Sequence, residues 1–150
     1  MMRLPAAVLF LFAGVAVADD TAAKKFLKDL EGSYTPTAMT KGGNASPDEA
    51  VKAVSAVVIK GETLTIRFKK GEKEDEHSGT IVVDPGQKPI AIDLTPKDGP
   101  DAGKPVLGIV KVEKGMVTLC FADRGDATDR PKEFTSTKEN KYFLIVLKKQ

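Results

Sequence analysis

The stretch VSAVVIKGETLTIRFK, Val54 to Lys69, decides the fold. It opens with a valine-rich run, turns at Gly61-Glu62, and continues with Leu64, Ile66 and Phe68 alternating with Thr65, Arg67 and Lys69. A period of two places neighbouring side chains on opposite faces of a strand, so this second part has one apolar face and one wet face. Two such runs joined by a tight turn are antiparallel neighbours.

The same pattern continues towards the C-terminus. Lys69 to Glu76 is a charged hairpin tip, and Ile81 and Val83 lead to the turn Asp84-Pro85-Gly86. Ile90, Ile92 and Leu94 alternate with Ala91, Asp93 and Thr95. A long polar loop, Pro96 to Gly103, precedes Val106 to Val110. Glu113-Lys114-Gly115 then turns the chain into Val117 to Phe121, and Tyr142 to Leu147 closes it. Towards the N-terminus, Ser46-Pro47-Asp48-Glu49 reads as the start of a short helix near 47–53, with a capping serine, a proline and acids at the positive end of the dipole. Lys41-Gly42-Gly43-Asn44 is a loop. Ser33 to Thr40 is a weak strand whose Pro36 suits an edge or a bend. Thr21 to Leu30 is a short amphipathic helix with Phe26, Leu27 and Leu30 on one side. About eight short strands in a meander must curl on themselves to hide one apolar face, and closure removes exposed edges. The expected architecture is all-β: an antiparallel up-and-down barrel with the N-terminal helix across one end.

Residues 1–18 stand apart. Arg3, the uncharged apolar run Ala6 to Val17 and the small residues of Ala16-Val17-Ala18 predict a signal peptide. The run is too short to span a bilayer as a helix. The mature domain is then 19–150, expected outside the cytoplasm, periplasmic or extracellular, with no transmembrane segment. A chain of this size buries roughly two thirds of its unfolded surface without a disulfide. None can form within it, because Cys120 is the only cysteine. The net charge of +2 is spread over interspersed charges of both signs, and there is no tryptophan. With no basic stripe and few aromatics for base stacking, a nucleic-acid partner is not expected.

Two strings, IDLTPKDGPDAGKPVLGI (Ile92 to Ile109) and LCFADRGDATDRPKEF (Leu119 to Phe134), carry a resemblance. The chain resembles the planctomycete-type domain family of unknown function, a lipocalin-like group with many short exported members. Asp93, Gly99, Gly103, Lys104, Gly108, Cys120, Arg130, Pro131 and Phe134 fall on its motif positions, as do Leu30, Gly32 and the terminal Leu144 to Lys149. The resemblance implies a lipocalin-like barrel and brings no reaction with it. It departs at Gly32-Ser33-Tyr34, where the family tends to carry Gly-x-Trp. Tyr34 is expected to replace that ring in part, stacking with Lys148 or Arg130.

Several residues look like sites. Cys120 would need a depressed pKa and a nearby base to act as a nucleophile. The only histidine, His77, lies by a run of acids at a hairpin end. The alternation of Val117, Leu119 and Phe121 puts Cys120 on the outer face, as a small packing residue beneath the N-terminal helix. Arg124-Gly125-Asp126 fits an adhesion tripeptide only by chance, and Asp123, Asp126 and Asp129 lack the spacing of a calcium loop. Gly99 to Lys104 lacks the glycine spacing and the hydroxyl of a phosphate loop. One histidine and one cysteine give no zinc spacing. No metal, cofactor or catalytic residue is expected, so the chain reads as non-enzymatic.

The barrel interior remains. Leu64, Ile66, Phe68, Ile92, Leu107, Ile109, Leu119, Phe121, Leu144 and Val146 are expected to line it, enclosing either a small apolar ligand or a solid core. The two corresponding functions are a carrier of a small hydrophobic molecule and a cell-envelope interaction module. The module would meet another protein through the loops Pro96–Gly103 and Asp123–Glu133. A hydrolase or isomerase built on Cys120 is a third.

Overall fold

The structure, a computed structural model, describes residues 21–122 and 129–150. The expected signal peptide, the Arg124-Gly125-Asp126 tripeptide and two of the three spaced aspartates lie outside those residues.

A helix, α1, covers residues 21–30 and is followed at once by β1 (Gly32–Lys41). The two-residue β2 (Asn44–Ala45) folds back on β1, and α2 (Asp48–Ala53) leads into β3 (Val54–Lys60). Then come β4 (Thr63–Lys70), β5 (Lys73–Asp84), β6 (Ile90–Pro96), β7 (Val106–Glu113), β8 (Met116–Phe121) and β9 (Phe143–Lys149). Each neighbouring pair is antiparallel, and β1 pairs with β9 as well as with β3. Eight strands therefore close into an up-and-down, lipocalin-like barrel, with β2 as a short extension. No helix among the described residues is long and apolar enough to cross a membrane.

Three features depart from the sequence reading. The weak strand at Ser33 to Thr40 is the strand that closes the barrel. Its first residues pair with β3, and the rest of its length pairs with β9 from Tyr34↔Lys149 to Lys41↔Phe143. Pro36 sits where that register shifts, between Pro36 and Ala38, so the missing N–H falls at a bulge inside the sheet and not at an edge. At α2, Pro47 and not Ser46 is the N-cap, and no side chain caps the helix; the Pro47 carbonyl accepts from Ala50 N and Val51 N instead. The charged tip is also more ordered than a loop, since the β4–β5 ladder runs out to Lys70↔Lys73.

One end of the barrel is plugged. Leu27 and Leu30 of α1 join the core that contains Tyr34, Ile59, Ile81, Val117 and Leu147. The Tyr34 hydroxyl donates to the Leu30 carbonyl at 2.6 Å, which satisfies one of the acceptors that a helix end leaves without a partner. Glu31, just after α1, accepts from Gly61 N of the β3–β4 turn at 2.8 Å and ties the helix to the barrel rim. Tyr34 is thus committed to the plug. Lys148 lies opposite Thr35 and Met116 on the outer face, and Arg130 is engaged elsewhere, so the expected stacking is replaced by this hydrogen bond.

Candidate functional site in the barrel lumen

The end opposite α1 is where the interior opens. A cavity of about 340 Å³ lies between Val57, Leu64, Ile66, Leu94, Val106, Leu119, Phe121, Ala122, Phe143, Ile145 and Leu147, with Lys41 and Lys141 at its mouth. The wall is aliphatic and aromatic because every contributing strand turns its period-two apolar set inward. Gly108 makes room for part of it: a Cβ there would stand 2.5 Å from the Phe121 ring and 2.8 Å from the Cys120 carbonyl. The Phe121 side chain occupies the space that a residue at 108 would otherwise fill.

The mouth is held by backbone and side-chain hydrogen bonds from two loops. Gly42 and Gly43 both take positive φ, 56° and 80°, in the β1–β2 turn. Gly43 N donates to Ser136 Oγ at 3.0 Å, Ser136 Oγ donates to the Tyr142 carbonyl at 2.7 Å, and Gly42 N donates to that same carbonyl at 3.2 Å. In the second loop, Asn140 Oδ1 accepts from Thr137 N and Tyr142 N, and Lys141 N donates to the Thr137 carbonyl. This network holds Lys141 at φ 56°.

Beside the cavity is a smaller recess of about 210 Å³ between the β4–β5 hairpin and the loop after β6. It shares Leu64, Ile66 and Leu94 with the cavity and adds Phe68, His77, Asp98 and Asp101. His77 pairs across the ladder with Ile66, meets the Phe68 ring edge-on at 5.7 Å, and lies between Asp98 Oδ1 (3.2 Å from Nδ1) and Asp75 Oδ2 (3.3 Å from Nε2). The acids bond opposite sides of the imidazole, which is not a chelating arrangement. No group of metal-binding residues occurs among the described residues.

The expected lining residues divide. Leu64, Ile66, Leu119 and Phe121 line the cavity, Phe68 lines the recess, and Ile92 is packed in the core at 0% exposure. Leu107, Ile109, Leu144 and Val146 face outward, a correction that follows from register. Ile109 and Leu144 flank Cys120 across the ladder, whereas Val110 and Ile145 flank Leu119 on the inner face. Strands β7 and β9 are apolar on both faces, so alternation alone could not fix their phase. The inward residues missed in those strands are Val106 and Val110 of β7 and Phe143, Ile145 and Leu147 of β9. Lys41 and Lys141 carried no sequence signal as lumen residues. Lys41 falls in what reads as a loop, and the register that turns it inward depends on the bulge after Pro36.

Five of the motif residues, Asp93, Cys120, Arg130, Pro131 and Phe134, assemble on the opposite, outer face. Arg130 Nη1 donates to Asp93 Oδ1 at 2.6 Å and to the carbonyls of Gly108 at 2.9 Å and Ile92 at 3.4 Å, fastening the segment after β8 across β6 and β7. Pro131 is fully buried beside it, and Lys111 Nζ lies 4.9 Å from the Phe134 ring centroid. Cys120 is buried under this same segment, its thiol 3.5 Å from the Thr135 carbonyl, and not beneath α1. Burial pushes the thiol up to about 11, opposite to the shift a nucleophile needs. Gly99 and Gly103 take positive φ in the β6–β7 loop, where Gly103 N donates to Pro96 O and Lys104 N to Asp101 O; a strand follows, with no helix to hold phosphate. Asp93, Cys120, Arg130, Pro131 and Phe134 thus organise backbone on the outer face, whereas Gly108 backs the Phe121 ring of the cavity wall and Gly99 borders the recess.

The fold and the open lumen define a class: a lipocalin-like antiparallel barrel, plugged at one end and lined by apolar side chains. Comparison with protein-family models, curated proteins and solved structures gave no match to this chain.

Proposed function

We propose that this protein is an exported, non-enzymatic barrel that binds one small hydrophobic molecule in its lumen, as a member of the planctomycete-type lipocalin-like family that its motifs resemble. The observation that carries the reading is the cavity of about 340 Å³, apolar along its wall and open at one end. Cavities of roughly 300–1,000 Å³ with apolar walls and few polar groups are the usual form of small-molecule sites. The solid-core interaction module has less support, because a core at ordinary packing density leaves few voids larger than a water molecule. Export rests on Arg3, the apolar run and Ala16-Val17-Ala18.

Titration of the purified domain with the neutral fluorophore N-phenyl-1-naphthylamine tests the reading. Saturable binding of one probe per chain is expected, and Ile66→Trp, which places an indole in the cavity, should abolish it with the barrel still folded. No binding, or binding unchanged by Ile66→Trp in a folded protein, would rule the lumen out as the site.

A further inference from the structure

The cavity and the recess beside it differ in charge. The recess beside the hairpin is edged by Asp98 and Asp101, with His77 between acids. The mouth of the larger cavity has two lysines and no carboxylate among its lining residues. Neither lysine forms an ion pair among the described residues.

Both lysines stand at the rim on backbone that the fold fixes. Lys41 is on the inward face of β1, in line with Met39, opposite Phe143 of β9 on one side and Asn44 of β2 on the other. Lys141 has φ 56°, the left-handed region where glycine or asparagine is favoured over a long side chain. The hydrogen bonds of the 137–142 turn fix its backbone there. A lysine at such a site has an aliphatic stem to lay along the wall and an ammonium to keep at the solvent boundary. Two of them at the entrance to an apolar cavity form a receptor for a molecule with an apolar tail and a negative head.

We infer that the ligand of the lumen is an aliphatic monoanion of the carboxylate type, its chain in the cavity and its head between Lys41 and Lys141. The inference rests on the lumen-binding reading and adds the chemical class of the ligand. Exposed ammonium–carboxylate pairs are individually weak and screened by salt, so the head contributes selectivity while the chain contributes most of the affinity.

Competition against bound N-phenyl-1-naphthylamine at low salt, using decanoate, decanol and decylamine below their aggregation limits, separates the two claims. Decanoate should compete about tenfold more tightly than decanol, with decylamine weakest, and the preference should shrink as salt is raised. In Lys41→Met/Lys141→Asn, where asparagine suits the left-handed backbone, decanoate and decanol should become equal competitors once the probe's own affinity is measured again in that variant. Equal competition in the unaltered protein, or a carboxylate preference that survives the double substitution, would overturn the anion site and leave lumen binding standing. Failure of the neutral probe to bind would remove both.

Discussion

At the scale of single residues, the cysteine that first suggests chemistry is shielded from it. Cys120 is at 0% exposure, covered by the segment that Arg130 holds down, and burial raises its pKa from 9.0 to about 11. The unfolded chain ionises this thiol first as pH rises, so the unfolded state is favoured once the solution passes its unfolded pKa. The thiol's contribution is complete below pH about 9 and is lost as the pH climbs towards 11. Urea midpoints of the native protein and of Cys120→Ala should therefore differ by a constant below pH 9, the native protein then losing ground relative to the variant. A difference that stays flat up to pH 11 would contradict the burial. Among the described residues Tyr34 is the other group raised by burial, and its hydroxyl is also occupied structurally.

At the scale of elements, what the sequence discloses depends on whether a strand has one buried face or two. Strand β4 shows a clear alternation, and its Leu64, Ile66 and Phe68 border the cavity or the recess. Strands β7 and β9 are flanked on their outer sides by residues that are themselves buried or partly buried, as at Ile109 and Leu144, so they read as continuous apolar runs. Their phase is set by cross-strand register, which no local pattern encodes. The covering segment was legible only as a motif. Nothing in Arg130-Pro131 by itself indicates that the guanidinium reaches Asp93 and two carbonyls from strands far back along the chain. The plug follows a similar logic: the amphipathic face of α1 predicts that the helix packs, while the Tyr34 hydrogen bond decides where. Tyr34→Phe should lower stability by about 1 kcal/mol and speed amide exchange in α1, because the Leu30 carbonyl loses its buried donor. An unchanged urea midpoint together with unchanged exchange would show that packing alone holds the helix.

At the scale of the whole molecule, hairpins supply most of the ladder and one long-range pairing, β1 with β9, converts a sheet into a closed wall. That closure gives the lumen its shape: the bulge after Pro36 turns Met39 and Lys41 inward at the open end, and Tyr34 faces the plug at the other. It also brings the C-terminal residue beside the start of the barrel, since Gln150 N donates to the Ser33 carbonyl at 2.9 Å and Gln150 Nε2 to Thr35 Oγ1 at 2.9 Å. The order in which the strands are threaded is consequently separable from the shape they make. A circular permutant that joins Gln150 to Thr21 through a flexible glycine–serine linker and opens the chain at Gly71-Glu72, an exposed tip where a Cβ on the glycine would face open space, should fold to the same barrel. Its near-identical amide spectrum and retained probe binding would show that the wall has a seam but no intrinsic first strand.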